Sequence, residues 1–223
     1  MRDVLKIDQL IRSRRRTVGL TITTDARLIV RAPHWTPVHE IERLISQKQS
    51  WITQKQALFR SRPRPVSKQF IEGEEFLFLG QTYKLCIVDD LSKAVVLGKD
   101  LMVAKAVQNV SDHIYLWYQR QALEHISQRV EYYAQLLGLK YRSIKVNCAK
   151  TRWGSCGHSG ALNFTWRLIM APPRVVDYVV VHELTHLKHM NHSSRFWNEV
   201  RRIVPDYKQD EMWLKNNSHA LVI

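Results

Sequence analysis

Residues 179–192 read Val179-Val-Val-His-Glu-Leu-Thr-His-Leu-Lys-His-Met-Asn-His192. His182 and His186 are four positions apart. On a helix that spacing puts both imidazoles on one face, one turn apart. Two ring nitrogens then reach a single Zn²⁺ at about 2.0–2.1 Å. Glu183, next to the first histidine, sits beside the ion and not on it, the position of a general base for a zinc-bound water. The residues before them, Val175, Val176 and Tyr178 to Val181, are apolar on nearly every side of a helix, which marks it as buried. Two imidazoles and a carboxylate in a buried helix need partners, because unpaired polar burial is costly. One zinc ion per chain, held by His182 and His186 with Glu183 catalytic, is the expectation.

A catalytic zinc takes three protein ligands and keeps one open position. His192 is the favoured third ligand, six residues after His186, the offset of the third histidine in metzincins. An unbroken helix would point it away, so the chain must turn between Leu187 and His192, with Asn191 as the candidate left-handed residue. His189 and Glu199 are the rivals. Candidate donors to a developing oxyanion are His189, Arg152, Tyr178 and Arg167.

Working outward, Pro172-Pro173 starts the motif helix, expected to run to about Met190. A strand at 161–165 precedes it, and two readings stand side by side: an edge that pairs with an extended peptide, or a core strand with no free edge. Before that, Trp153-Gly-Ser-Cys-Gly-His-Ser-Gly160 reads as a tight loop packed near the helix; a nucleophilic Cys156 with His158 is the minor reading. A strand at 142–147 and a long helix at 112–137 with a Gly138 C-cap lie upstream. Helices at 194–203 and 206–216 follow the motif. In the first half, 18–24 and 27–31 alternate as a hairpin about Asp25-Ala26. A helix is expected at 38–59, then a basic connector from Arg60 to Pro65, then strands near 75–79, 82–88, 93–97 and 101–105. The composition shifts near residue 110. The expected organisation is α+β: a β-rich domain at 1–110 with one inserted helix, and a metallohydrolase domain at 111–223.

The 34 Lys and Arg against 20 Asp and Glu give a net charge of +14 and a pI near 9.9. Such a surplus favours polyanions. The stretches Arg12–Arg16 and Arg60–Arg64, with Trp35 and Trp51, are the candidate nucleic-acid surface; the plainer reading is a solvated face. Cys86, Cys148 and Cys156 form no CxxC pair, which excludes a disulfide framework and fits a reducing cytoplasm. The opening residues carry no apolar signal-peptide core. No run of about 18 apolar residues exists to span a membrane.

The stretches Arg152-Trp-Gly-Ser-Cys156, Gly160-Ala-Leu-Asn163, Trp166-Arg-Leu-Ile-Met-Ala-Pro-Pro173, Val179 to His182, and Asn191-His-Ser193 with Phe196-Trp197 resemble the YgjP-like metallopeptidase-domain proteins, relatives of the SprT and WLM zinc peptidases. The resemblance is close over 110–217. It implies a minimal zincin-like (gluzincin-like) catalytic domain, with His182, His186 and His192 as ligands and Glu183 catalytic. The SprT relatives act on DNA-associated proteins, which agrees with the basic charge. The expected activity is a zinc-dependent metallopeptidase acting on protein or peptide, with nucleic acid nearby. Two other readings stand beside it. One is a hydrolase of nucleotide phosphoanhydrides (a nucleoside triphosphate pyrophosphatase), which the absence of a P-loop disfavours. The other is a nucleic-acid-binding protein with a structural metal.

Overall fold

The structure is a computed structural model and describes residues 6–23, 25–61 and 67–223. The chain forms two compact units, Met1–Arg64 and Pro65–Ile223.

In the first unit, strands β1 (Gln9–Ser13), β2 (Gly19–Ile22) and β3 (Leu28–Pro33) form a sheet ordered β1-β3-β2. β2 and β3 are the expected hairpin, with Ala26 left-handed at φ 62 in the turn. β1 pairs parallel to β3 and had no clear sequence signal, since Gln9, Arg12 and Ser13 interrupt any alternation. In β3 the alternation works as expected: Leu28, Val30 and Ala32 point to one face and are buried with Ile41, Ile45 and Ile52. Those isoleucines come from α1 (Val38–Gln47) and α2 (Gln49–Ser61). The single helix expected over 38–59 is thus two, broken at Lys48 (φ −103, ψ 11). Of the basic connector from Arg60 to Pro65, residues 62–65 lie outside the described residues.

The second unit begins with β4 (Glu75–Phe78), β5 (Gln81–Val88), β6 (Val95–Leu97) and β7 (Leu101–Ala104), ordered β4-β5-β7-β6. The composition shift near 110 is not where the compact units divide. Phe76, Leu85, Leu101 and Val103 share one core with the helices that follow. The β4–β5 turn is tied to the segment before the motif helix: the Leu79 and Gly80 N–H groups donate to Ile169 O and Met170 O at 2.8 and 3.1 Å. Gly80 has φ +77, and a Cβ there would meet Pro172 at 2.9 Å, so only glycine lets this turn approach.

Helix α3 (Val110–Leu137) ends at Gly138 in the left-handed conformation, as expected. Its buried residues recur every fourth position: Ile114, Tyr118, Ala122, Ile126, Val130 and Ala134. This stripe lies against the core, while Leu116, Leu123 and Leu136 face outward. A second sheet follows, with β8 (Ser143–Asn147), β9 (Gly154–Cys156) and β10 (Ala161–Thr165) in the order β8-β10-β9. A 3₁₀ turn (Trp166–Met170) leads to α4 (Pro173–Thr185), then α5 (Ser194–Ile203) and α6 (Tyr207–Asn217). The observed class is mixed α+β, as expected. No described helix is long and apolar enough to cross a membrane.

Candidate metal centre

Pro173 opens α4, where its missing N–H costs nothing and its fixed φ suits the first turn. Val175, Val176, Val179, Val180, Val181 and Leu184 bury the helix on most sides. The motif therefore sits at the end of a rod held by the core, and its position follows from packing.

The helix ends at Thr185, short of the expected Met190, with His186 as its C-cap still in helical conformation (φ −63, ψ −19). Leu187 N–H donates to Leu184 O, and Lys188 and His189 N–H both donate to Thr185 O. The chain then reverses before Ser193, the N-cap of α5. The expected turn before His192 is present. The expected left-handed Asn191 is not: among the described residues, positive φ outside glycine occurs only at Ala26, Phe70, Leu79 and Asn109. Unwinding over several residues with negative φ achieves the reversal, so no single residue needs the left-handed region.

The outcome is a triad. His182, His186 and His192 each offer a ring nitrogen, and these atoms lie within 4.8 Å of one another. His182 Nε2 and His192 Nε2 are 3.0 Å apart. His186 Nδ1 contacts His189 O at 3.1 Å. If Nδ1 carries the proton and donates it, Nε2 keeps its lone pair. Burial, reinforced by His186 and His192, pushes the His182 imidazole down to about 3. Burial also pushes His186 down. Neutral imidazoles are the form that ligates metal. His182 Nδ1 is buried with no hydrogen-bond partner among the described residues. The nitrogen of that ring that meets the other imidazoles is therefore Nε2, 3.0 Å from His192 Nε2. The donor set fits a zinc-type ion on these grounds.

The rivals lie elsewhere. His189 contributes its backbone oxygen to His186 and lines an open depression of about 560 Å³ with Lys188, Met190, Asn191, Ser193, Ser194 and Arg195. Glu199 pairs with Lys188 and Arg202 at 3.2 and 3.1 Å. Its carboxyl is held below the usual range, chiefly by the Arg202 hydrogen bond.

Glu183 is 5% exposed. Burial pushes its carboxyl up to about 8, against the pull of the Arg152 charge. The space it occupies is made by Gly154: a Cβ on that residue would lie 2.6 Å from both Glu183 Cγ and Oε1. The sequence pointed to a loop packed near the helix here. It did not reveal that one of its glycines cradles the general-base candidate. The same proximity argues against Cys156 as a nucleophile, because burial and the Glu183 charge both push its thiol up, whereas a reactive cysteine needs it lowered.

Of the oxyanion candidates, Tyr178 packs edge-on to His182 with centroids 6.0 Å apart, and burial raises its hydroxyl pKa. Arg152 is exposed and close enough to influence Glu183. Arg167 is occupied elsewhere, over the Trp166 ring and on Cys148 O at 3.2 Å.

Two residues outside the sequence-predicted set complete the shell. Phe196, fully buried, touches all three imidazoles, with centroids 4.9, 4.6 and 4.7 Å away. Trp197 stacks on His192 (5.5 Å, 28°) and on Tyr207 (5.2 Å, 18°). Both belong to a stretch that carries the family resemblance, and they lie on α5 just after His192, which was the available signal.

The strand 161–165 is β10, the middle strand of its sheet, parallel to β8 and antiparallel to β9, so of the two readings the core strand with no free edge holds. The edge beside Glu183 is β9. Gly157 N–H donates to Ala161 O and Thr165 N–H to Trp153 O. The antiparallel alternation then turns the N–H and C=O groups of Gly154 and Cys156 away from β10. No described strand pairs on that side.

No curated protein matches the chain. The crystal structure of the metallopeptidase zymogen abylysin from Pyrococcus abyssi shares 23% identity with it. That alignment covers 40% of this chain and 93% of the other, at a TM-score of 0.37. A sequence profile, "YgjP-like, metallopeptidase domain", matches residues 16–217. That match spans both compact units and reaches into α6, so this chain belongs to the YgjP-like metallopeptidase-domain family.

Proposed function

We propose that this protein is a zinc-dependent metallopeptidase of zincin-like (gluzincin-like) architecture, with His182, His186 and His192 holding one ion and Glu183 as general base. The observation that carries this reading is the juxtaposition of three converging imidazole nitrogens with a buried carboxylate seated over Gly154. Bound by the three histidines, zinc would act as a Lewis acid and lower the pKa of water toward ~7.

The chain's own groups do the rest. Glu183 accepts the proton of the attacking water as its oxygen adds to the scissile carbonyl carbon, and passes that proton to the departing amine as the C–N bond breaks. Arg152 opposes the effect of burial and favours the ionised carboxylate that can accept the proton. Tyr178 is the candidate donor to the developing oxyanion. An extended peptide pairs with the outward N–H and C=O groups of Gly154 and Cys156, adding a strand to β9. This reading moves the substrate edge from β10 to β9 and puts the peptide backbone next to Glu183.

The test is peptide hydrolysis by zinc-loaded Glu183→Gln. General-base loss should lower the rate about 10²–10⁴-fold, while zinc stoichiometry measured by atomic absorption stays at the wild-type value. Unchanged hydrolysis would sink the mechanism. If wild type instead releases phosphate or pyrophosphate from nucleoside triphosphates, and Glu183→Gln does not, the same base acts on a phosphoanhydride.

A further inference from the structure

The two compact units divide the charge unequally. Residues 1–64 hold 14 Lys and Arg against 5 Asp and Glu, a surplus of 9. Residues 65–223 hold 20 against 15, a surplus of 5. Most of the +14 thus belongs to the smaller unit, which contains none of the candidate metal ligands.

Its topology gathers part of that charge at one place. β1 and β3 are parallel, with Ser13 opposite Pro33. The segment leaving β1, Arg14 to Arg16, and the loop leaving β3, His34-Trp35, therefore emerge from the same end of the sheet. Gly19, opposite Arg31 at the start of β2, closes that end. Arg12 fixes the loop: its Nη1 donates to Pro33 O at 2.8 Å and also to Thr36 O. Thr36 is buried and its N–H donates to Pro33 O. Between these anchors Trp35 stands 68% exposed. Arg15 is used internally, its guanidinium lying against Gly19 where a Cβ would meet Nη2 at 2.9 Å. Arg14 and Arg16 are exposed, with no carboxylate partner among the described residues.

We propose that this end of the sheet binds single-stranded nucleic acid, with Trp35 stacking on a base and Arg14 and Arg16 neutralising the flanking phosphates. An anchored, exposed indole between unpaired cations is the combination that sequence-tolerant single-strand binding uses. The stacked face must come from an unpaired base, because a duplex hides base faces and offers only edges and phosphates. The binding is independent of the proposed hydrolysis, since none of these residues belongs to the candidate metal centre.

The experiment is fluorescence anisotropy with the full chain and labelled oligodeoxythymidylate and oligouridylate of about 15 nucleotides, long enough for one such site. Wild type should bind, and the stronger of the two oligonucleotides names the source. Trp35→Ala should weaken binding about tenfold, with the salt dependence unchanged. Trp35→Phe should recover most of that loss. The Arg14→Glu/Arg16→Glu double variant should weaken binding at least as much and make the slope of log affinity against log salt shallower by about 1.4, at ~0.7 per phosphate contact. Melting curves check that each variant stays folded; these side chains are exposed. The proposal fails if neither oligonucleotide binds. It also fails if Trp35→Ala binds like wild type, or if an abasic oligonucleotide binds as well as thymidylate, since simple polyanion attraction would then suffice. Capture by phosphatidylserine vesicles without oligonucleotide binding would assign the surface to a membrane and overturn it.

Discussion

The two compact units hold their chemistry in opposite ways. In the second, the candidate reactive groups sit at the buried end of α4, where the valines around them fix their positions. In the first, the groups of interest are exposed and owe their placement to strand pairing and one arginine tie. A buried site is specified by packing, so its residues must recur at fixed spacing. An exposed one is specified by topology, so its residues can be scattered along the sequence. The contrast predicts that damage to one should leave the other intact.

The largest effect tests that separation directly. His186→Ala removes one of three converging donors. Zinc bound after exhaustive dialysis should fall from one ion per chain to near none, and peptide hydrolysis should disappear with it. The melting of the first unit should not move. A shift there would mean that the two units are energetically one.

Gly154→Ala should come next. The added methyl overlaps the Glu183 carboxyl at 2.6 Å, and Glu183 is buried with little room to retreat. Overpacking of this kind costs about 1–3 kcal/mol, readable as a lower melting temperature. Hydrolysis should fall more than stability does, because the displaced group is the proposed base. If the melting temperature drops and kcat/KM does not, Gly154 matters to packing alone.

These two variants also mark what was legible in advance. The His182–Glu183–His186 spacing needs only helical geometry, and Gly138 and the α3 stripe likewise report local rules. The role of Gly154 depends on contact with a residue 29 positions away, which no local pattern encodes. The same holds for β10. Its apolar alternation reads as a strand, but whether it is an edge depends on β9, a three-residue strand too short to announce itself. Composition shifts near residue 110 while the compact units divide after Arg64, for a related reason. Composition registers strand against helix, whereas compactness follows which side chains share a core, and Phe76 and Leu101 share theirs with α3. In the first unit the basic run was visible, but its convergence with Trp35 required the parallel pairing of β1, a strand whose residues do not alternate.

A smaller effect is expected at Trp197, whose ring stacks on His192 and hands that contact on to Tyr207. His192 comes from an exposed loop and depends on this wall more than His182 does on any one neighbour. Aromatic pairs contribute about 0.5–1.5 kcal/mol, so Trp197→Ala should weaken zinc binding by roughly two- to tenfold in a chelator competition. Trp197→Phe should recover part of it. A purely structural role would lower the melting temperature in both variants without separating their zinc affinities.

The smallest effect sharpens the account of the loop itself. If Asn191 supplied a left-handed turn, replacing it by alanine would strain the backbone by about 1 kcal/mol or more and pull His192 away from the other two imidazoles. Asn191 does not adopt positive φ, and it is exposed. Asn191→Ala should therefore change stability by less than about 0.5 kcal/mol, as surface substitutions do, and leave the zinc dissociation constant within about twofold. A clear loss in both measurements would restore the left-handed turn. No loss in either would mean that His192 is brought back by the early end of α4 at Thr185 and by the α5 aromatics, so that the third donor is placed by the core even though its own loop is exposed.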